Sequence, residues 1–594
     1  MPVPTPDRLL RVDLSAASTE SVPVPEEWLA RYVGGKGLGA RYLYEELDAG
    51  ADPLGPGNAL LFMLGPLSGL LPGESRYAAV TKSPLTGGFL DSYAGGEFPD
   101  ALVGALEDHV GLLVTGTAQE PVRIVIEGGE AAVEPAETWG EDVATTAEAF
   151  PESAVACIGP AGESRVAYAT IASDAGEHHA GRGGAGAVMG AKGLKAVVAR
   201  GDPPSGLAEL REEYARRYRE DDTGKWLHAS GTVETVDFAN EMGILSTRGW
   251  EDGQFEGADA VGIEAVQDHA SGREGDSDDP RGFRVETEDG ESVPRGATAM
   301  SLGAGLGIDE FDAVAALGET CNRLGLDLIS AGSAVAWAIK AGDDGLIDRG
   351  LSFGEPADAR ALLSEIATRE TPLGDALAGG VDAAADRFGG EELVPTVKQM
   401  ELPAYDPRGA HSMALAYATS DRGACHRRAR PVEREVFGDE WSPERAAEAV
   451  ISEQDSRSVL WSLIVDDFVG EAFEDLGVEW LGAVGLETAG DLATVGERIW
   501  TLTRLFNVRE GVSRADDALP ATLREPLSSG PNAGEAIEEE RFETMLDAYY
   551  QERGWGPDGR PTRETVERLD LAEAVDDDTP LADVPVSEWS YDRE

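Results

Sequence analysis

The chain has 594 residues, 111 of them acidic against 49 basic, for a formal net charge of −62. Such a carboxylate coat excludes nucleic acid and anionic membrane surfaces as electrostatic partners. Hydrophobic residues still make up 42% of the chain, which is too many for a disordered polyelectrolyte and enough to fill several domain cores.

Seven Lys stand against 42 Arg. Lysine depletion beneath an acidic surface suggests a halophile, whose proteins work in molar salt, where a Debye length of about 3 Å screens the self-repulsion. Met1–Pro6 is followed by charged, amphipathic sequence rather than a signal peptide. The longest apolar run, Ala59–Leu71, is broken by Gly65, Pro66 and Gly69, too short to span a bilayer. A cytoplasmic location and no membrane partner are therefore expected. Cys157, Cys321 and Cys425 are far apart and read as buried apolar residues in a reducing compartment.

In chain order, strand-like runs fall at Leu9–Val12, Ala59–Leu64, Tyr77–Thr81, Leu112–Thr115, Val122–Ile126, Val155–Ile158, Val166–Ala172 and Ala196–Ala199. Their alternation and the glycine turns between them predict an α+β fold that opens with a β-rich sheet domain. After Asp202-Pro203-Pro204 the period becomes helical, at Phe311–Leu324, Ile329–Ala341, Ala359–Thr368, Pro443–Ser452, Arg498–Phe506 and Arg541–Gln551. Residues 268–296 read as a polar, exposed loop, and the acidic tail after Val575 as loosely packed. The expected domains are 1–205, an α+β domain, then two helical domains, 206–395 and 396–594.

Gly181–Lys195 concentrates six glycines with Arg182, Lys192 and Lys195. Glycines let a ligand approach backbone N–H groups, and cations beside them favour phosphate oxygens. Neither a Gly-Lys-Ser/Thr phosphate loop nor a strand leading directly into a dinucleotide fingerprint is read here. Two readings stay open: a glycine turn with incidental charge, or a cradle for a phosphate-bearing cofactor.

Further strings extend the pattern: Tyr32-Val33-Gly34-Gly35-Lys36-Gly37, Gly65-Pro66-Leu67-Ser68-Gly69, Lys82-Ser83-Pro84-Leu85-Thr86-Gly87 and Ile158-Gly159-Pro160-Ala161-Gly162-Glu163. Leu324-Gly325-Leu326-Asp327, Tyr405-Asp406-Pro407-Arg408-Gly409, Arg422-Gly423-Ala424-Cys425-His426 and Tyr549–Trp555 follow in order. Together they resemble the aldehyde ferredoxin oxidoreductase family of tungsten-pterin enzymes, over essentially the whole chain. The resemblance implies an oxidoreductase acting on an aldehyde or other oxo group through a tungsten (or molybdenum) bis-pyranopterin. Electrons would leave to ferredoxin or another acceptor, and a homodimer is compatible with the family.

The same resemblance implies pterin-phosphate contacts from Arg76, Gly95, Arg182, Gly183, Gly184 and Ala185. It places a magnesium ion on the backbone carbonyls of Tyr93 and Gly183, although the family usually has Asn where Tyr93 stands. The first pterin motif survives as Asn322-Arg323-Leu324-Gly325-Leu326-Asp327, with Asn322 for the leading Asp. Asp327 would accept hydrogen bonds from a pterin ring, or would instead cap the helix that follows it. The second motif aligns with Trp461–Asp466, where Trp461 replaces Asp, Ile464 replaces Gly and Asp466 replaces Cys, leaving Val465 as its contact.

His426 matches the family's acid–base His, with Arg422, Arg427, Arg428 and Arg430 around it; Arg422 and Arg428 are its expected cofactor neighbours. Nearby positive charge would lower an imidazole pKa and suit an anion. A lone His is otherwise a core or surface residue. The family's catalytic Glu aligns with Ala297. A four-iron cluster is usual in the family, but loop 269–288 has no cysteine and the fourth ligand position is Asp466, so no iron–sulfur ligand is assigned. These departures keep a non-catalytic, pterin-binding assembly or scaffold protein as the alternative.

Overall fold

A computed structural model describes residues 5–275, 281–438, 440–472 and 476–583. The fold is α+β, sheets first and helices after. It forms two compact units, each gathered from distant parts of the chain. Unit 1 combines Met1–Lys225, Gln454–Gly511 and Thr565–Pro580; unit 2 combines Trp226–Glu453, Val512–Glu564 and Leu581–Glu594.

Unit 1 carries two six-stranded sheets. The first uses β1 (Arg8–Asp13), β2 (Ser18–Pro23), β3 (Leu60–Met63), β4 (Tyr77–Lys82), β5 (Phe89–Ala94) and β6 (His109–Thr115), in the order β2-β1-β6-β3-β4-β5. The second uses β7 (Val122–Glu127), β8 (Glu130–Pro135), β9 (Ala154–Cys157), β10 (Ile171–Ser173), β11 (His178–Ala180) and β12 (Leu194–Arg200), in the order β11-β10-β9-β12-β7-β8. Leu60, Phe62, Tyr77, Leu112, Ile124, Ile158 and Val197 share one core with the helix Phe98–Leu106.

The glycine strings near the N-terminus serve packing. A Cβ on Gly35 would lie 2.2 Å from the Trp461 carbonyl, and one on Gly65 2.3 Å from that of Leu463. These glycines let the end of helix Pro443–Leu463 approach backbone to backbone. Gly37 N–H then donates to Ser462 Oγ at 3.0 Å.

Unit 2 is mainly helical. Phe311–Leu324 ends at Gly325, whose φ of 73° supplies the left-handed C-cap, and Leu328–Asp343 starts three residues later. Residues 268–296 are not one exposed loop. Ala270–Arg273, Phe283–Thr287 and Gly290–Ser292 form a three-stranded sheet. Phe283 and Val285 are buried there with Val266 and Phe311. Residues 276–280 of that stretch lie outside the described residues.

Two other expectations are corrected. Val166–Ala172 is strand only from Ile171, because turns occupy the residues before it. The start of the acidic tail is tied to unit 1: Arg509 Nη1 bonds Asp576 Oδ2 at 3.1 Å, and Tyr44 meets Thr579. Residues 584–594 lie outside the described residues. No helix among the described residues is long and apolar enough to cross a membrane.

Candidate functional site

In unit 1, β4 and β5 run antiparallel with Tyr77 opposite Ala94, which brings Arg76 and Gly95 to one end of the pair. The hairpin of β10 and β11 ends at Ala180, so a short strand does lead straight into the glycine-rich stretch. Arg182, Gly183 and Gly184 then have φ of 71°, 69° and 87°. A Cβ on Gly184 would lie 2.1 Å from the Ala167 carbonyl, so only glycine fits. Arg182 is a buried non-glycine in the left-handed region, a costly conformation held by its neighbours. Ser92 Oγ donates to the Arg182 carbonyl at 3.3 Å and Ser83 Oγ to that of Gly183 at 2.7 Å. Helix Ala185–Ala191 starts immediately after.

Lys192 and Lys195 do not belong to this cradle. Both are buried, and Lys192 Nζ donates to the carbonyls of Asn58 and Gly116. Burial pulls the Lys192 ammonium down to about 8. Lys195 Nζ pairs with Glu163 and donates to the Glu141 carbonyl at 2.7 Å. Both ammoniums satisfy local backbone oxygens, so they are structural.

Arg76 sits among carboxylates. Its Nη2 lies 2.9 Å from Glu74 Oε2 and 3.2 Å from Asp466 Oδ2. Glu74 also covers Gly95, where a Cβ would lie 2.2 Å from its carboxyl carbon, and His178 Nδ1 lies 3.4 Å from its other oxygen. Arg76 Nε is buried with no hydrogen-bond partner among the described residues. An unpartnered guanidinium N–H fits an anionic group. Glu74 carries no recognisable signal in the sequence.

Two departures from the family pattern meet each other. The rings of Tyr93 and Trp461 lie 5.2 Å apart at 31°. Tyr93 OH donates to Asp91 Oδ2 at 2.6 Å, and buried Lys36 pairs with the same oxygen at 3.2 Å. Lys36 Nζ also lies over the rings of Phe89, Trp461 and Trp500, at 5.1, 5.6 and 5.4 Å. Trp461 Nε1 donates to Asp467 at 2.9 Å, and Val465 is buried beyond it. The second motif is thus an aromatic patch with an internal ion pair.

In unit 2, Asp327 Oδ2 accepts the Ser330 N–H at 3.0 Å and so caps helix Leu328–Asp343. Ser330 Oγ donates to Glu401 at 2.7 Å, a fully buried carboxylate the sequence did not single out. Beside Glu401, Met400 packs on Gly423, where a Cβ would lie 2.7 Å from its own. This chain of contacts joins Asp327 to the loop of His426. Leu326 is buried, and Asn322 Nδ2 lies 3.4 Å from Glu319. Burial pushes the Glu319 carboxyl up to about 7.

His426 packs edge-on to Tyr405, ring centroids 5.7 Å apart. Arg428 Nε bonds Asp421 at 2.9 Å with both side chains buried, and Arg422 Nη2 lies 3.1 Å from Cys425 Sγ. Ala297 occupies a short α-helix, Gly296–Thr298, followed by a π-helix over Ala299–Gly303. The Tyr-Asp-Pro-Arg-Gly string is structural: Arg408 forks onto Asp406 and donates to the Trp250 carbonyl at 2.7 Å.

The three cysteines are buried, as expected. Burial pushes the Cys157 thiol up to about 12, and it raises that of Cys321. Neither is poised as a thiolate ligand.

The chain is similar to known proteins over most of its length. The family model for the N-terminal domain of aldehyde ferredoxin oxidoreductase matches residues 9–201, and that for its domains 2 and 3 matches residues 209–571. A tungsten-containing aldehyde ferredoxin oxidoreductase of Pyrococcus furiosus is 34% identical over 95% of this chain and 99% of its own. An aliphatic sulfonate oxidoreductase, WOR-like subunit, of the same organism is 27% identical over 96% and 97%. Among solved structures, the active site complex BamBC of benzoyl coenzyme A reductase with 1,5-dienoyl-CoA has a TM-score of 0.81. It covers 97% of this chain and 98% of that one, at 24% identity, and shares the fold. Fold and sequence matches thus define an oxidoreductase scaffold. The chain belongs to the aldehyde ferredoxin oxidoreductase family and is an enzyme of that type.

Proposed function

We propose that the protein oxidises a small aldehyde to its carboxylic acid with a tungsten (or molybdenum) bis-pyranopterin. What supports this most is the left-handed run Arg182-Gly183-Gly184, held by Ser83 and Ser92, in the unit that also holds the unpartnered Arg76 Nε. These residues fit a phosphate-bearing group and would hold the pterin phosphates through backbone N–H and guanidinium donors. A magnesium ion would take the Tyr93 and Gly183 carbonyls; the latter already accepts one hydroxyl and keeps a lone pair. When bound, the metal group supplies the two-electron acceptor.

The net change is aldehyde plus water to acid, two protons and two electrons. Proton movement falls to the imidazole of His426, held edge-on by Tyr405. Arg428 is neutralised by Asp421, so it anchors the loop rather than adding free charge beside the imidazole. With Ala297 at the usual carboxylate position, a single group carries the acid–base work. The two electrons leave to ferredoxin or another acceptor.

The test is aldehyde-dependent viologen reduction by protein purified anaerobically in molar salt. A series of short and aromatic aldehydes should be turned over, and His426→Asn should lose about 10²–10⁴-fold in rate while keeping its cofactor. No turnover by tungsten-loaded protein, or full activity in His426→Asn, would overturn the proposal.

A further inference from the structure

The family's four-iron cluster does not fit the residues present. Such clusters are held by cysteine thiolates, four in the usual set. The whole chain has three cysteines, none between residues 269 and 288. Cys157 lies on β9 among Val125, Val155 and Val198. Cys321 faces the core from helix Phe311–Leu324, and Cys425 lies on the His426 loop against Arg422. These sulfurs serve three separate packing environments.

At the fourth ligand position stands Asp466, and its oxygens are already committed. Oδ2 meets Arg76 Nη2 at 3.2 Å and Oδ1 accepts the Phe468 N–H at 2.9 Å. Glu74 closes the other side of the same guanidinium nitrogen at 2.9 Å. The three side chains are 7–12% exposed. A buried carboxylate is retained at such a cost only when paired and hydrogen-bonded, and this one is both. A hard oxygen locked onto a guanidinium is a poor substitute for a thiolate on iron.

We infer that this enzyme works without a resident four-iron cluster, and that the Glu74–Arg76–Asp466 network takes over the fourth ligand's place as fixed structural charge. Electrons therefore leave for the external acceptor without passing an iron cluster held by this chain. The inference rests on family membership and the cysteine positions, not on which metal the pterin holds.

The test measures iron, acid-labile sulfide and tungsten on one anaerobic preparation, before and after incubation with ferrous iron, sulfide and thiol. The inference predicts well under one iron per chain in both states and no cluster signal in electron paramagnetic resonance after dithionite. About four irons per chain with matching sulfide, as isolated or after reconstitution, would overturn it. Asp466→Asn should leave iron equally low; an iron content that falls on this substitution would also overturn it. Tungsten in the same sample reports on the proposed function separately, so each idea can fail alone.

Discussion

Asp174 is a carboxylate held in an unfavourable place. Burial, the largest effect, pushes its pKa up to about 6 while the Glu97 N–H, 3.0 Å from Oδ2, pulls it back. A carboxyl raised above its unfolded value near 4 costs stability in full above pH 6. That cost fades as pH falls from 6 to 4. Asp174→Asn removes the charge, keeps an acceptor and tolerates the left-handed φ of 51°. The variant should be more stable by on the order of 1–3 kcal/mol at pH 7.5 and equal to wild type below about pH 4. Denaturant titrations at the two pH values check this, and a gain that persists at pH 4 would contradict it. At this scale the sequence was partly legible. Gly181–Lys195 announced a close-approach turn through its glycines. Lys192 and Lys195 were misplaced because sequence spacing does not reveal that their ammoniums turn to Asn58, Gly116 and Glu163. Glu74 and Glu401 left no trace because isolated acidic residues are common in a chain with 111 of them.

Among elements, helices were more legible than strands. Phe311–Leu324 matches its expected span because its apolar positions repeat at helical spacing and Gly325 stops it. β2 and β8 were missed: β2 has no buried residue and β8 is an edge strand whose side chains are half exposed, so neither shows apolar alternation. The Phe283–Thr287 sheet was missed for a similar reason, since only Phe283 and Val285 mark its covered face. The meeting of Gly35 with the end of helix Pro443–Leu463 joins residues more than four hundred positions apart, which local periodicity cannot show. Gly35→Ala would press a methyl into the Trp461 carbonyl at a positive φ of 31°. The substitution should cost about 1–3 kcal/mol, read as a lower melting temperature in high salt. An unchanged melting temperature would mean that this contact is loose.

Over the whole molecule, charge is the dominant sequence signal and topology the hidden one. The composition could not show that Gln454–Gly511 folds with the N-terminal sheets, because that pairing depends on contacts between distant segments. The charge of −62 sets a physical demand of its own. Carboxylate repulsion acts across a long Debye length in dilute buffer and is cut to about 3 Å in molar salt. The melting temperature should therefore rise by several degrees or more between dilute buffer and molar potassium chloride. A flat response in calorimetry would rule out surface repulsion as a stability term.

The most direct test of the pterin assignment is the tungsten and pterin content of protein purified in molar salt, for wild type and Arg182→Ala. Arg182 is assigned the charged contact to a pterin phosphate, and hydrogen bonds to charged groups contribute on the order of 1.5–3 kcal/mol each. Wild type should carry stoichiometric tungsten and pterin. Arg182→Ala should retain at least about tenfold less at limiting cofactor while folding normally. Full cofactor retention in Arg182→Ala, or a wild type that binds neither tungsten nor molybdenum with pterin, would contradict the account.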